Sequence, residues 1–86
     1  MAVAIAVRVR FFARLREQSG TEIEALQVPP GATLEDVYDV LRRKHPALEA
    51  ERKAVRGAIN QELSDWSAVV ADGDEVAFIP PVSGGH

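Results

Sequence analysis

Cysteine is absent from the 86-residue chain, which removes disulfide staples, thiolate metal sites, iron–sulfur clusters and cysteine nucleophiles together. Histidine is nearly as scarce. His45 and His86 stand far apart with no motif around either, so no metal site is expected. No apolar run approaches the ~20 residues of a membrane span, and the N-terminus shows no signal-peptide cleavage pattern. No membrane association is therefore expected, and the expected location is cytoplasmic. Phosphate-cradling glycine loops, nucleophile–base pairs and metal-ligand clusters are missing too. Ser64, Ser67 and Ser83 have no histidine placed as a partner, and the acid pairs Glu35/Asp36 and Asp72/Asp74 read as helix-cap and turn residues. As a catalyst, the chain offers no active site of its own.

What is present reads as one globular unit. Hydrophobic residues make up 47% and charged residues 27%, a balance that favours a packed core over disorder. The length allows one domain and a thin margin of stability. A net charge of −3 argues against a nucleic-acid partner. The charge is uneven, however: Arg8, Arg10, Arg14 and Arg16 cluster near the start without an acid among them. That basic start reads either as a docking face for an acidic partner or as a solvated strand edge.

Val3, Ile5, Val7, Val9 and Phe11 alternate with Ala4, Ala6, Arg8 and Arg10, which predicts a long first strand. Phe12 to Glu17 suits a short helical turn, stopped by Ser19-Gly20. Ile23 to Val28 reads as a second strand, completing an antiparallel hairpin. Thr33 caps the one clear helix, with Asp36 three residues on, and Leu34, Val37, Tyr38 and Leu41 form its buried stripe. Arg42, Arg43 and Lys44 suit its last turn, and Pro46 stops it. Residues 47–53 are expected as an irregular or weakly helical link. A third strand carries Val55, Gly57 and Ile59 and ends at the turn-like Asn60-Gln61-Glu62. Ala68–Ala71 is expected as a short strand before the Asp72-Gly73-Asp74 turn, and Glu75–Ile79 as the last strand. One amphipathic helix over a mixed sheet of four to five strands is an α+β arrangement, the β-grasp or ubiquitin-like fold. The expected division is a domain over 1–79 and a flexible tail over 80–86.

The tail is unusual. Pro80 and Pro81 cannot donate to a sheet and favour an extended path, while Gly84 and Gly85 can enter a narrow channel. Six extended residues from Pro80 to Gly85 reach roughly 20 Å at ~3.3 Å each, far enough to enter a partner's active site. Taken alone, such an end is equally well a frayed terminus.

Taken with the rest of the chain it is more specific. The run Val9-Arg10-Phe11-Phe12-Ala13-Arg14-Leu15-Arg16-Glu17, then Pro30-Gly31-Ala32-Thr33, then Asn60-Gln61-Glu62-Leu63, then Asp72 to Gly85 with Pro80-Pro81-Val82-Ser83-Gly84-Gly85, resembles the molybdopterin synthase small-subunit family, MoaD. The resemblance covers almost the whole chain in order. It implies a ubiquitin-like sulfur carrier for molybdenum cofactor biosynthesis. In that family an E1-like adenylyltransferase uses ATP and magnesium to adenylate the terminal glycine, here Gly85. The acyl-adenylate becomes a thiocarboxylate, which the large synthase subunit draws into its active site to pass sulfur to cyclic pyranopterin monophosphate. Gly84 is then the clearance beside the carrier atom. No cofactor is bound by the chain itself. By the same resemblance Phe12, Leu63 and Ile79 form an apolar docking patch, Arg16 lies near it, and Pro80, Pro81 and Val82 lead into the partner.

The family ends at Gly-Gly, whereas His86 follows here. With His86 in place the α-carboxylate is not that of Gly85, so His86 is an added remnant, or a peptidase trims it, or this copy serves a different sulfur pathway or none. Alternative readings are a carrier for another pathway (cysteine, thiamine or tRNA thiolation), a ubiquitin-like protein modifier joined to lysines through Gly85, or a passive binding module using the Arg8/Arg10 face.

Overall fold

The computed structural model describes residues 3–80. Pro80 alone of the expected tail falls within them; Pro81, Val82, Ser83, Gly84, Gly85 and His86 lie outside the described residues. The first two strands, β1 (Ile5–Phe11) and β2 (Ile23–Val28), pair antiparallel, with Ile5 opposite Val28 and Arg10 opposite Ile23. Between them runs a short helix, α1 (Arg14–Ser19), ended by Gly20 at φ 79°, whose N–H donates to the Arg16 carbonyl at 2.9 Å. Val3 lies outside β1 and is 71% exposed. The strand therefore starts two residues later than the alternation predicts.

The main helix, α2 (Leu34–Lys44), begins at Thr33 as expected, in a reciprocal cap. The Asp36 N–H donates to Thr33 Oγ1 at 3.2 Å, and the Thr33 N–H donates to Asp36 Oδ2 at 3.0 Å. The N–H groups of Leu34 and Glu35, which have no partner within the helix, donate to the carbonyls of Ala68 (2.9 Å) and Trp66 (3.0 Å). Those bonds explain the residue 65–70 segment. It is a strap across the helix start, joined to Thr33 only by a single bridge at Val69. The short strand expected at Ala68–Ala71 is therefore not there. The true short strand is β4 (Glu62–Ser64), which folds back on β3 (Arg56–Ile59) through Asn60 and Gln61 at φ 52° and 72°. Two successive positive φ values are what a two-residue hairpin of the primed type needs.

The last strand, β5 (Glu75–Ile79), inserts between β1 and β3, parallel to the first and antiparallel to the second. The sheet order is β2-β1-β5-β3-β4, and α2 covers one face, giving the β-grasp architecture. On that covered face Val7, Val9, Phe11, Val76 and Phe78 meet Leu34, Val37, Tyr38 and Leu41 in one core. Burying each such side chain stabilises the fold by about 1.5–3 kcal/mol. Tyr38 is the hub: its ring centre lies 4.9 Å from Phe78 and 5.5 Å from Trp66. Its hydroxyl donates to the Glu49 carbonyl at 2.7 Å, tying down the link after the helix. Burial and the nearby Glu49 charge push that hydroxyl up to about 12.

Candidate docking face and the root of the C-terminal segment

Strand pairing alternates side chains between the two faces of a sheet, so the residues out of phase with the core line the open face. Here the register brings one row across all five strands: Leu63, Ala58, Ala77, Arg10 and Ile23 lie side by side in β4, β3, β5, β1 and β2. The next row holds Arg56 beside Ile79. Phe12 continues β1 into that row, its N–H donating to the Phe78 carbonyl at 3.2 Å. Ala58 and Ala77 leave a shallow floor, walled by Leu63 on one side and by Ile79, Phe12 and Arg10 on the other.

Exposure agrees with this geometry. Phe11 is 1% exposed, while its neighbour Phe12 is 38% and Leu63 63% exposed. Ile79 and Pro80 are half-buried. Phe12, Leu63 and Ile79, which come from three separate parts of the chain, thus share one face, next to where β5 passes into Pro80. Arg16 is exposed in α1, four residues after Phe12, and has no ion pair among the described residues. Pro81, Val82, Gly84 and Gly85 were expected to carry the site with them and lie outside the described residues.

The rim of the patch is basic. Arg8 faces Glu75 in register, and Arg10 lies between Glu75 (3.5 Å) and Glu22 (3.9 Å). Arg8 and Arg10 are therefore on an interior strand, not on a sheet edge as one reading of the basic start had it. At the β4 edge Leu63 and Arg56 border an open cleft of about 330 Å³ that also takes in Lys53, Asp65 and Trp66. Among the described residues there is no cluster of His, Asp or Glu able to hold a metal. The acids of the turns are occupied locally. Asp72 Oδ1 accepts from the Ala6 N–H at 2.8 Å, and Asp74 accepts from the Ala71 N–H and from Asn60 Nδ2 at 2.8 and 3.0 Å. What the face offers is apolar contact and a charged border, the composition of a protein-docking surface.

The sequence points to Phe12, Leu63 and Ile79 as one apolar group, which the structure brings to one face, but not to the alanine floor or to Arg10 beside it. Ala77 was legible as lying in phase with Ile79, on the face opposite Val76 and Phe78. Ala58 was not, because the visible alternation in β3 is that of Val55, Gly57 and Ile59, on the other face.

Comparison with known proteins gives the same direction. The ThiS family model matches residues 9–85. A molybdopterin synthase sulfur carrier subunit of Arabidopsis thaliana is 42% identical over 82 residues, covering 95% of this chain and 85% of that protein. One of Mycobacterium tuberculosis is 40% identical, covering 94% and 99% respectively. Among solved structures, the crystal structure of SAMP1 from Haloferax volcanii superposes with a TM-score of 0.81 at 33% identity, covering 93% of this chain and 99% of that one. No helix among the described residues is long and apolar enough to cross a membrane. A β-grasp sheet, an open apolar face beside the root of a Gly-Gly segment, and near-full-length similarity together place this chain in the ThiS family, alongside the molybdopterin synthase sulfur carrier subunits.

Proposed function

We propose that this chain is the sulfur carrier of a molybdopterin synthase, acting in the cytoplasm in molybdenum cofactor biosynthesis. The observation that carries the reading is the apolar patch of Phe12, Leu63 and Ile79 on one sheet face beside Pro80, in a chain 42% identical to a molybdopterin synthase sulfur carrier subunit. A carboxylate is a poor electrophile until one oxygen becomes a good leaving group. An E1-like enzyme would supply that by transferring AMP from ATP, with magnesium, to the Gly85 carboxylate, releasing pyrophosphate. A sulfur nucleophile then displaces AMP and leaves the thiocarboxylate. The large synthase subunit takes the same segment and accepts the sulfur onto cyclic pyranopterin monophosphate. This chain contributes the reachable terminus and the face that docks, and ATP, magnesium and pterin belong to its partners.

A reconstituted mixture of chain ending at Gly85, E1-like enzyme, Mg-ATP and a sulfide source tests this. The expected product is a chain heavier by the difference between one sulfur and one oxygen, and it converts the pterin only with the large subunit present. Adenylation without any sulfur transfer to the pterin would overturn the reading. A second reading, a protein modifier, is favoured by the similarity to small archaeal modifier protein 1 of Haloferax volcanii, 36% identical over 84 residues. Lysine adducts linked through Gly85 in cell extract would support it.

A further inference from the structure

Arg10 stands on the open face at the border of the apolar patch, between Ala77 on β5 and Ile23 on β2. Its guanidinium carbon lies 5.3 Å from the centre of the Phe12 ring, within cation–π range. A guanidinium carries five N–H donors, yet this one makes no hydrogen bond among the described residues. Its Nε is shut off from solvent without an acceptor. The nearest carboxylates, Glu75 at 3.5 Å and Glu22 at 3.9 Å, lie beyond the about 2.7–2.9 Å of a charge-assisted hydrogen bond. They balance its charge from a distance and leave the donors of its two terminal NH2 groups to water. The Arg10 side chain keeps 34% of its exposure, so that water is what a docking partner would displace. Burying donors without replacing the water is costly. Arg8 and Arg56 share the face with no ion pair among the described residues, so its surplus charge is positive.

We propose that Arg10 is a specificity-determining residue of the docking face. It receives a carboxylate from a protein partner whose apolar side chains cover Ala77, Leu63, Ile79 and Phe12. The inference deepens the sulfur-carrier reading and rests on it. The guanidinium fork can give a carboxylate two parallel N–H···O bonds, which a lysine ammonium cannot reproduce. Phe12 backs the guanidinium, so the anchor and the fork are presented together. A partner lacking the acid buries the donors unpaired and is rejected.

The test is calorimetric binding of the full chain to the large synthase subunit encoded in the same genome, at low and moderate salt. Arg10→Gln is expected to weaken binding about 10- to 100-fold and to reduce its salt dependence, with the thermal midpoint unchanged. Arg10→Lys keeps the charge and the stem, and is expected to remain at least about fivefold weaker than the parent chain. If Arg10→Gln does not fold, Arg10→Lys carries the test alone. Parent-like affinity in either folded variant would overturn the inference. If Phe12→Ala weakens binding while the Arg10 variants do not, this inference falls and the sulfur-carrier reading stands. A parent chain that fails to bind the large subunit at all overturns both.

Discussion

Replacing Gly57 with alanine tests how closely the helix seats on the sheet that carries the docking face. A β-carbon at Gly57 would stand 2.9 Å from Leu34 Cδ1, and 3.6 Å from both Leu34 Cδ2 and Phe78 Cε1. Gly57 has no positive φ, so alanine fits its backbone and gains about 0.4–1 kcal/mol by restricting the unfolded chain. Against that, adding a methyl to a packed core costs about 1–3 kcal/mol. The clashing atom is the end of a flexible side chain, which keeps the cost to about 2 kcal/mol. Leu34 is nevertheless fully buried at the capped start of α2, and Phe78 is equally enclosed, so the methyl cannot swing into open space. Overpacking wins, and Gly57→Ala is expected to destabilise the chain by about 1 kcal/mol, lowering the thermal midpoint by about 4–8 °C. Urea unfolding followed by circular dichroism measures this. Leu34→Val shortens the side chain that clashes, so the double variant should be more stable than the sum of the singles by at least about 0.5 kcal/mol. A Gly57→Ala chain as stable as the parent, with strictly additive behaviour alongside Leu34→Val, would refute the reasoning.

Thr33→Ala removes one half of the reciprocal cap on α2 and should cost about 1 kcal/mol in urea unfolding, where an unchanged midpoint would show that the remaining Asp36 bond and the strap from residue 66 to 68 suffice for the helix start. Burial raises the Glu24 pKa, but hydrogen bonds and charges from Lys44 and His45 outweigh it and hold the carboxyl below its ordinary 4.5. A folded value below the unfolded one stabilises the protein above about pH 4.5, and that share is lost as pH falls through the folded value. Glu24→Gln should accordingly flatten the acid limb of a stability–pH profile, and an unaltered limb would count against the cluster. Phe12→Ala and Leu63→Ala remove exposed side chains, so each should leave the thermal midpoint nearly unchanged while weakening capture by the large subunit about tenfold or more. A large loss of stability with intact binding would make them core residues instead.

Much of this architecture was legible because local and global signals agree. Helix α2 announces itself through Thr33, Asp36 and the Leu34-Val37-Tyr38-Leu41 stripe, each readable within a single turn. Strand β1 was equally plain, apart from its first two residues, where no partner strand extends to cover Val3. Strand β4 was hidden because three residues are too few to show a period, and its one large apolar residue, Leu63, points to solvent. The Ala68–Ala71 run misled for the opposite reason. Val70 is buried against the core, but Val69 is 62% exposed, and the segment spends its backbone groups on the helix start instead of a ladder. Such pairing is long-range and leaves no local pattern. At the site, Phe12 and Ile79 could be separated from Phe11 and Phe78 by phase alone. The juxtaposition of Arg10 with the Phe12 ring could not, since it depends on how the chain leaves β1 at Ala13, a non-glycine residue at φ 54°.

The most direct test of the sulfur-carrier account is the intact mass of this chain purified from its native host at natural expression. The account predicts a species ending at Gly85, with a fraction heavier by the difference between one sulfur and one oxygen. Chain found only with His86 attached, and with no thiocarboxylate even beside its E1-like enzyme, would contradict it.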